Sequence, residues 1–123
     1  MLKAALVVST AAVVACAGCS MRQADLTILS SRNVNLSGLP KARTGTEPRV
    51  EGRDVQHVLL FIPVTGPPNL EEALDRALDE GKGDVMMDAV VYSYWWYIPL
   101  LYGQAGWKVK GTVINSSAAA ARN

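Results

Sequence analysis

The chain has 123 residues, with 12 basic and 11 acidic side chains and one histidine, so its net charge is close to zero. A nucleic-acid-binding domain usually carries a clear excess of Lys and Arg, so this balance argues against a nucleic-acid partner. Half of the residues are hydrophobic, and the length suits one domain.

The first 18 residues have the three parts of a secretory signal peptide. Lys3 gives the positive start, residues 4–15 form an uncharged apolar run, and small residues follow. The alternative is a retained membrane helix, because the uncharged stretch of 18 residues at 4–21 reaches the lower limit for spanning. Its second half is mostly Ala, Gly, Ser and Cys, which are weakly apolar. We therefore expect the segment to be removed.

Both cysteines lie at the end of this segment. Ala-Gly-Cys-Ser at Cys19 resembles the lipobox of bacterial lipoproteins, and Val-Val-Ala-Cys at Cys16 fits the same pattern. In that family the cysteine is lipidated and becomes the first residue of the mature chain. We favour Cys19, with Cys16 as the alternative. Neither following residue, Ser20 or Ala17, is the Asp that signals inner-membrane retention. The resemblance therefore implies a palmitate-type lipid anchor on the periplasmic side of a Gram-negative outer membrane.

The remaining chain of about 105 residues divides into three regions. Residues 19–53 form a lipid-anchored segment with a first strand and a flexible loop, 54–114 form an α+β core, and 115–123 form a disordered tail. Residues 22–53 hold six basic and three acidic side chains. This basic stretch is a polar tether or a surface for anionic lipid head groups.

Two strands are predicted before the helix. Alternating apolar residues predict the first strand, either as one piece or as two short pieces around Ser30-Ser31, at Leu26, Ile28, Val34 and Leu36. The run His57 to Ile62 is apolar on both faces, which is typical of a central strand covered by a helix.

One helix is predicted after Asn69. Asn69 can cap it, and Glu72 occupies the capping-box position. A single apolar stripe follows at helical spacing: Leu70, Ala73, Leu74, Ala77 and Leu78. Gly81 and Gly83 end it.

Two strands are predicted after the helix, at Asp84 to Tyr97 and at Trp107 to Ile114. Gly103 and Gly106 are expected in the turn between them. The first of these strands is predicted to place Val85, Met87, Ala89 and Val91 on one face. The second is predicted to separate Trp107, Val109 and Val113 from Lys108, Lys110 and Thr112.

The element order β-β-α-β-β predicts a small two-layer α+β sandwich with one helix on a roughly four-stranded sheet. One sheet face is then left for solvent, membrane, a partner or a second copy. The stretches GKGDVMMDAVVYS, YIPLLYGQ and KVKGTVI resemble small bacterial envelope lipoproteins of unassigned function. That resemblance supports the order and carries no catalytic residues.

No arrangement of residues indicates catalysis. His57 is the only histidine, and a strand residue near the end of the sheet is the expected role. The acidic group Asp79, Glu80, Asp84 and Asp88 lacks the spacing of a calcium loop, so a solvated helix end and strand start is expected. We therefore predict no enzyme activity, no cofactor and no metal site.

Aromatic residues are concentrated in one stretch, since seven of the eight lie between Tyr92 and Trp107. They either fill the second sheet face, form a partner or self-association surface, or contact a membrane. We predict a partner-binding site at Tyr94, Trp95, Trp96 and Tyr97. The predicted function is a structural or accessory protein-interaction module of the cell envelope. The alternative is a lipoprotein that binds a small apolar or glycan ligand between helix and sheet, near Met86 and Met87.

Overall fold

The computed structural model describes residues 18–34, 36–39 and 48–121. Most of the predicted signal segment, with Cys16, and the loop at 40–47 lie outside the described residues. The described elements are five strands, β1 (Cys19–Leu29), β2 (Arg49–Leu59), β3 (Ile62–Pro63), β4 (Val85–Ile98) and β5 (Tyr102–Ile114), two helices, α1 (Leu70–Glu80) and α2 (Ser116–Ala120), and a 3-10 turn at Leu36–Gly38.

The five strands form one antiparallel sheet in the order β1-β4-β5-β2-β3. The α+β class is therefore correct, but the sheet has five strands instead of four, and three of them precede α1. The predicted strand at His57 to Ile62 is wrong. The chain reverses at Leu60 and Phe61, so the apolar run contains the end of β2, a turn and β3.

β1 also differs from its prediction. It spans Cys19–Leu29 and forms one edge of the sheet beside β4, whereas Val34 and Leu36 lie beyond its end. Most of its side chains are exposed. An exposed edge strand has no fully buried face, so its sequence does not need to alternate apolar and polar residues. Apolar alternation therefore predicts the bounds of β1 poorly.

α1 follows its predicted stripe and its predicted cap. Asn69 Oδ1 accepts a hydrogen bond from the backbone N–H of Glu71 at 3.0 Å. The expected return bond from Glu72 is replaced by one from β2, since Asp54 Oδ2 accepts from the Asn69 N–H at 2.8 Å. Glu72 instead pairs with Arg76 at 3.2 Å. The cap therefore fixes the start of α1 to the middle of β2.

The core lies between α1 and the sheet. It comprises Ala73, Leu74, Ala77, Leu78, Met86, Ala89, Val91 and Val109. A bulge in β4, with φ of 50° at Asp88, shifts the pairing between Met87 and Val90. Because of this extra residue, Met86 lies in the core with Ala89 and Val91, whereas the sequence predicts Met87 on their face. The predicted division of β5 is correct, with Trp107 and Val113 packed against the cluster.

Gly103 and Gly106 lie within β5 and not in a turn, which corrects their predicted role. A Cβ on Gly103 would lie 2.4 Å from Cδ2 of Tyr97, and a Cβ on Gly106 would lie 3.1 Å from Oη of Tyr94 and 2.3 Å from the backbone oxygen of Asp54. Glycine therefore lets two tyrosines of β4 pack closely across the hairpin.

The predicted tail at 115–123 contains α2, which is attached to the start of β4. The backbone N–H of Ser116 donates to Asp84 Oδ1 at 2.7 Å, and its hydroxyl donates to Asp84 Oδ2. Burial acts to raise the pKa of Asp84, but these hydrogen bonds outweigh it, and the pKa lies below its usual value.

Candidate functional site

Strand alternation divides the four predicted partner-binding residues between the two faces of β4. Trp95 and Tyr97 share the side of α1, whereas Tyr94 and Trp96 lie on the opposite side. α1 begins beside Asp54 of β2, which pairs with Trp107 of β5. From there α1 runs over the half of the sheet that is farther from the β4–β5 turn. Trp95 consequently extends past the helix and is 55% exposed.

We call the sheet face opposite α1 the open face, formed by Glu51, Arg53, His57, Tyr94, Trp96, Tyr102, Gln104, Lys108 and Lys110. A polar and aromatic cluster occupies its half near the β4–β5 turn. His57 Nδ1 is hydrogen-bonded to Tyr102 Oη, which also accepts from Gln104 Nε2 at 2.7 Å. The Trp96 ring meets the Tyr102 ring edge-on, with 5.5 Å between centroids.

The His57 ring is held by contacts with two residues of this cluster. Its ring stacks on Tyr102 with 5.8 Å between centroids, and its described polar partners are the Tyr102 hydroxyl and the Gln104 amide. A catalytic triad needs a serine positioned against the histidine. The described partners instead hold the imidazole in place between β2 and β5.

A charged network occupies the other half of the open face. Glu51 accepts a hydrogen bond from Lys110 Nζ at 2.7 Å and one from Arg53, and Lys108 Nζ lies 3.9 Å away. Partial burial acts to raise the pKa of Glu51, but the bonds from Lys110 and Arg53 outweigh it and lower the pKa. Glu51 is therefore charged and paired at neutral pH.

We expect Glu51→Gln to lower the free energy of unfolding by about 1 kcal/mol at neutral pH, because three cations lose their shared carboxylate. A carboxylate whose folded-state pKa is lowered stabilises the fold above its unfolded-state pKa, and loses that effect as the pH falls through the folded-state pKa. The difference between wild type and variant should therefore shrink as the pH falls from about 5 to about 2. Urea unfolding at each pH measures it.

Glu80→Gln is the matched control, because Glu80 is exposed at the end of α1. Its effect should stay within about 0.5 kcal/mol at every pH. A Glu51→Gln effect that is equally large at low pH would contradict the assigned network.

The open face carries an excess of positive charge. Of the charged side chains that β2 and β5 place there, Arg49, Arg53, Lys108 and Lys110 are cationic and Glu51 alone is anionic. The Lys108 ammonium lies 5.6 Å from the centre of the Tyr94 ring, a cation–π contact. Burial raises the pKa of Tyr94, although the Arg53 charge opposes it. The aromatic and cationic groups thus form one continuous surface.

A second feature lies at the end of the sheet where the β2–β3 and β4–β5 turns meet. We call it the apolar tip, and it comprises Leu59, Leu60, Phe61, Ile62, Val64, Leu100 and Leu101. These side chains are 48% to 65% exposed. The backbone N–H of Leu60 donates to the carbonyl of Leu101 at 3.4 Å, which joins the two turns. The Phe61 ring lies 5.6 Å from the Tyr97 ring.

The described chain begins at this same end. The predicted lipidation site, Cys19, is exposed and pairs with Trp95. Gly18 lies against Trp96, since a Cβ there would be 3.0 Å from the Trp96 Cβ. The alternative site, Cys16, lies outside the described residues. A lipid on Cys19 would therefore lie close to the apolar tip.

The predicted ligand space between helix and sheet is filled near Met86. Met86 is fully buried, and a Cβ on Gly111 would lie 2.5 Å from its Cγ. Two open grooves of about 380 and 330 Å³ lie elsewhere. They are lined respectively by Arg22, Asp25, Leu26, Thr27, Arg49, Asp88, Ala89 and Val90, and by Arg32, Leu78, Asp79, Lys82, Gly83, Asp84, Asn115 and Ser117. The described contacts near Met86 thus leave no cavity between helix and sheet for the small ligand of the alternative function.

The acidic group is spread over separate contacts. Asp79 pairs with Arg32 at 2.6 Å, and Asp84 binds Ser116. Within residues 18–34, 36–39 and 48–121, no group of three His, Cys, Asp or Glu side chains is placed to hold a metal ion.

Sequence reasoning missed Glu51 and Gln104 as parts of the open face. The sequence predicts a loop at Glu51, because its stretch is rich in charge, and a turn at Gln104, which lies between two glycines. The alternation of Glu51, Arg53 and Val55 with Val50 and Gly52 was the available signal for β2.

Comparisons of the chain with protein-family models, with curated proteins and with solved structures found no match. Across the described ranges, no helix is both long and apolar enough to cross a bilayer. Function is therefore inferred from the residues of the chain itself.

Proposed function

We propose that this protein is a lipid-anchored module on the periplasmic side of the outer membrane, where its open face binds a protein partner and catalyses no reaction. One observation carries the partner-binding role. Tyr94 and Trp96 lie on the sheet face that α1 does not cover, beside the cations Arg53 and Lys108. Trp, Tyr and Arg dominate protein–protein hot spots because each combines a large apolar body with a polar group.

Charge indicates the chemistry of the partner. Three cations, Arg53, Lys108 and Lys110, surround Glu51 on the open face, so a partner surface with carboxylates would be attracted to it. The aromatic half of the face offers apolar contact, and the charged half sets the orientation. Tyr94 and Trp96 form the centre of the contact, whereas Trp95 and Tyr97 lie on the other side of β4.

The lipid anchor is tested by the intact mass of the full chain purified from native membranes in mild detergent. We expect a lipidated chain that begins at Cys19. Cys19→Ser should prevent lipidation, whereas Cys16→Ser should leave the mass of the mature chain unchanged. An unmodified chain that keeps Met1 would overturn the anchor.

The partner contact is tested by co-purification from the same membranes. Tyr94→Ser combined with Trp96→Ser should weaken partner capture about tenfold or more, because it removes two aromatic contacts. Leu36→Ser is the control, since Leu36 is 62% exposed and lies outside the open face. Lys110→Gln, at a half-exposed position, should weaken capture and reduce its dependence on salt. Unchanged capture by a folded double variant would overturn the proposal, and a companion identical to the chain itself would show self-association.

A further inference from the structure

The first turn of the apolar tip holds bulky residues in a backbone conformation that disfavours them. Leu60 and Phe61 are the two central residues of the β2–β3 turn, and their φ angles are 48° and 71°. Positive φ at both positions is the pattern of a type I′ turn, where Asn-Gly is the preferred pair. Leu60 and Phe61 are also 58% and 65% exposed, so burial within the fold does not explain them either.

The second turn of the apolar tip repeats this feature. The N–H of Leu101 donates to the carbonyl of Ile98 at 3.1 Å, Pro99 follows Ile98, and Leu100 has a φ of 64°. Proline followed by a residue with positive φ is the pattern of a type II turn, in which the second position favours glycine. The chain thus holds three bulky apolar residues in strained, exposed positions. Such strain is found where a function requires the side chain.

The end of the sheet around the apolar tip carries no formal charge. No Asp, Glu, Lys or Arg occurs between Asp88 and Lys108, or between Asp54 and Glu71. The row of Lys108 and Tyr92 lies six residues from Ile98 along β4, which is about 20 Å of strand. Seven aromatics lie on the tip side of that row: Phe61, Tyr94, Trp95, Trp96, Tyr97, Tyr102 and Trp107. Trp and Tyr are enriched at the level of lipid head groups.

The position of the N-terminus decides which occupant covers the apolar tip. Cys19 pairs with Trp95, three residues or about 10 Å from Ile98. On the proposed attachment, a lipid on Cys19 therefore enters the bilayer beside the apolar tip. We propose that the apolar tip inserts into that lipid bilayer and gives the domain a second membrane contact.

This inference rests on the proposed membrane attachment and adds an orientation to it. Because the anchor and the apolar tip lie at one end of the sheet, the strands are steeply inclined to the membrane plane. The open face then points along the membrane surface and not toward it. Trp95 and Tyr97, on the α1 side of β4, then serve the membrane contact, while Tyr94 and Trp96 on the open face are left for a partner. Because the apolar tip is uncharged, its insertion does not require anionic lipids and does not weaken with added salt.

The test uses the full chain reconstituted into vesicles of phosphatidylcholine, either ordinary or brominated in the acyl chains. Bromine quenches only tryptophans that reach the lipid. We expect brominated vesicles to reduce tryptophan emission by roughly a third, since Trp95 is one of the three tryptophans, is 55% exposed and pairs with Cys19. Flotation of the same vesicles reports whether the chain is attached.

The decisive variant combines Leu60→Asn, Phe61→Gly and Leu100→Gly, which install residues that both turns favour. It should fold, float with the vesicles through its anchor, and lose most of the quenching. Ile28→Thr is the control, because Ile28 is 43% exposed and pairs with Met87 at the opposite end of the sheet. It should quench as the wild type does.

Two results would overturn the inference while leaving the lipid anchor intact. One is a wild-type chain that floats but is not quenched by brominated lipid. The other is cross-linking of the apolar tip to a second copy of the chain, again without quenching. A chain that fails to float would overturn both the attachment and the insertion.

Discussion

Replacing Gly52 with alanine is expected to lower the free energy of unfolding by about 3 kcal/mol, because β2 and α1 touch backbone to backbone at this residue. A Cβ on Gly52 would lie 1.9 Å from the carbonyl oxygen of Ala73 and 2.7 Å from the backbone N of Ala77. Neither atom belongs to a flexible side chain, so the whole helix must move away from the sheet. Urea unfolding followed by tryptophan fluorescence measures the change.

Gly66→Ala is the matched control for this prediction. No atom lies within 4 Å of a Cβ at Gly66, so the same chemical change meets open space. Its effect should stay within about 0.5 kcal/mol of wild type. Equal effects at the two positions would show that α1 does not rest on β2 at Gly52.

The helix was predictable from sequence because its signals are local. The stripe from Leu70 to Leu78 and the cap at Asn69 depend only on neighbours within two turns. The second capping bond was not predictable, since it comes from Asp54 and not from Glu72. A capping partner on a strand that is distant in sequence can be identified only when the packing of that strand against the helix is known.

The strands were less predictable because their pairing sets their bounds. Gly103 and Gly106 have the composition of a turn, but they lie within β5 where two tyrosine rings require close approach. The bulge at Asp88 moved Met86 into the core in place of Met87. Bulges and close ring contacts are properties of two strands together, so alternation along one strand does not reveal them.

The run His57 to Ile62 shows where the structure of the candidate site differs from the sequence prediction. Continuous apolar residues predict a buried strand, yet Leu59 to Ile62 are exposed, with Leu60 and Phe61 in the turn between β2 and β3. The apolar composition of this run favours an apolar environment. The fold itself does not supply that environment, and the bilayer proposed above would.

Leu78→Ala is expected to lower the free energy of unfolding by about 3 kcal/mol, since it would leave a cavity in the centre of the core. Leu78 is fully buried and packs among residues of α1, β4 and β5. A domain of this size has a total stability of only about 5–10 kcal/mol, so the variant should melt at a markedly lower temperature. Thermal and urea unfolding both measure the loss.

Leu101→Ala makes the same chemical change on the apolar tip, where Leu101 is 61% exposed. Its effect on the free energy of unfolding should be less than about 0.5 kcal/mol, because little buried contact is removed. The same variant should reduce quenching by brominated lipid, whereas Leu78→Ala should leave quenching unchanged under conditions where it is folded. Leucine would then serve stability at residue 78 and membrane contact at residue 101. A large loss of stability in Leu101→Ala would instead show that the apolar tip is part of the folded core.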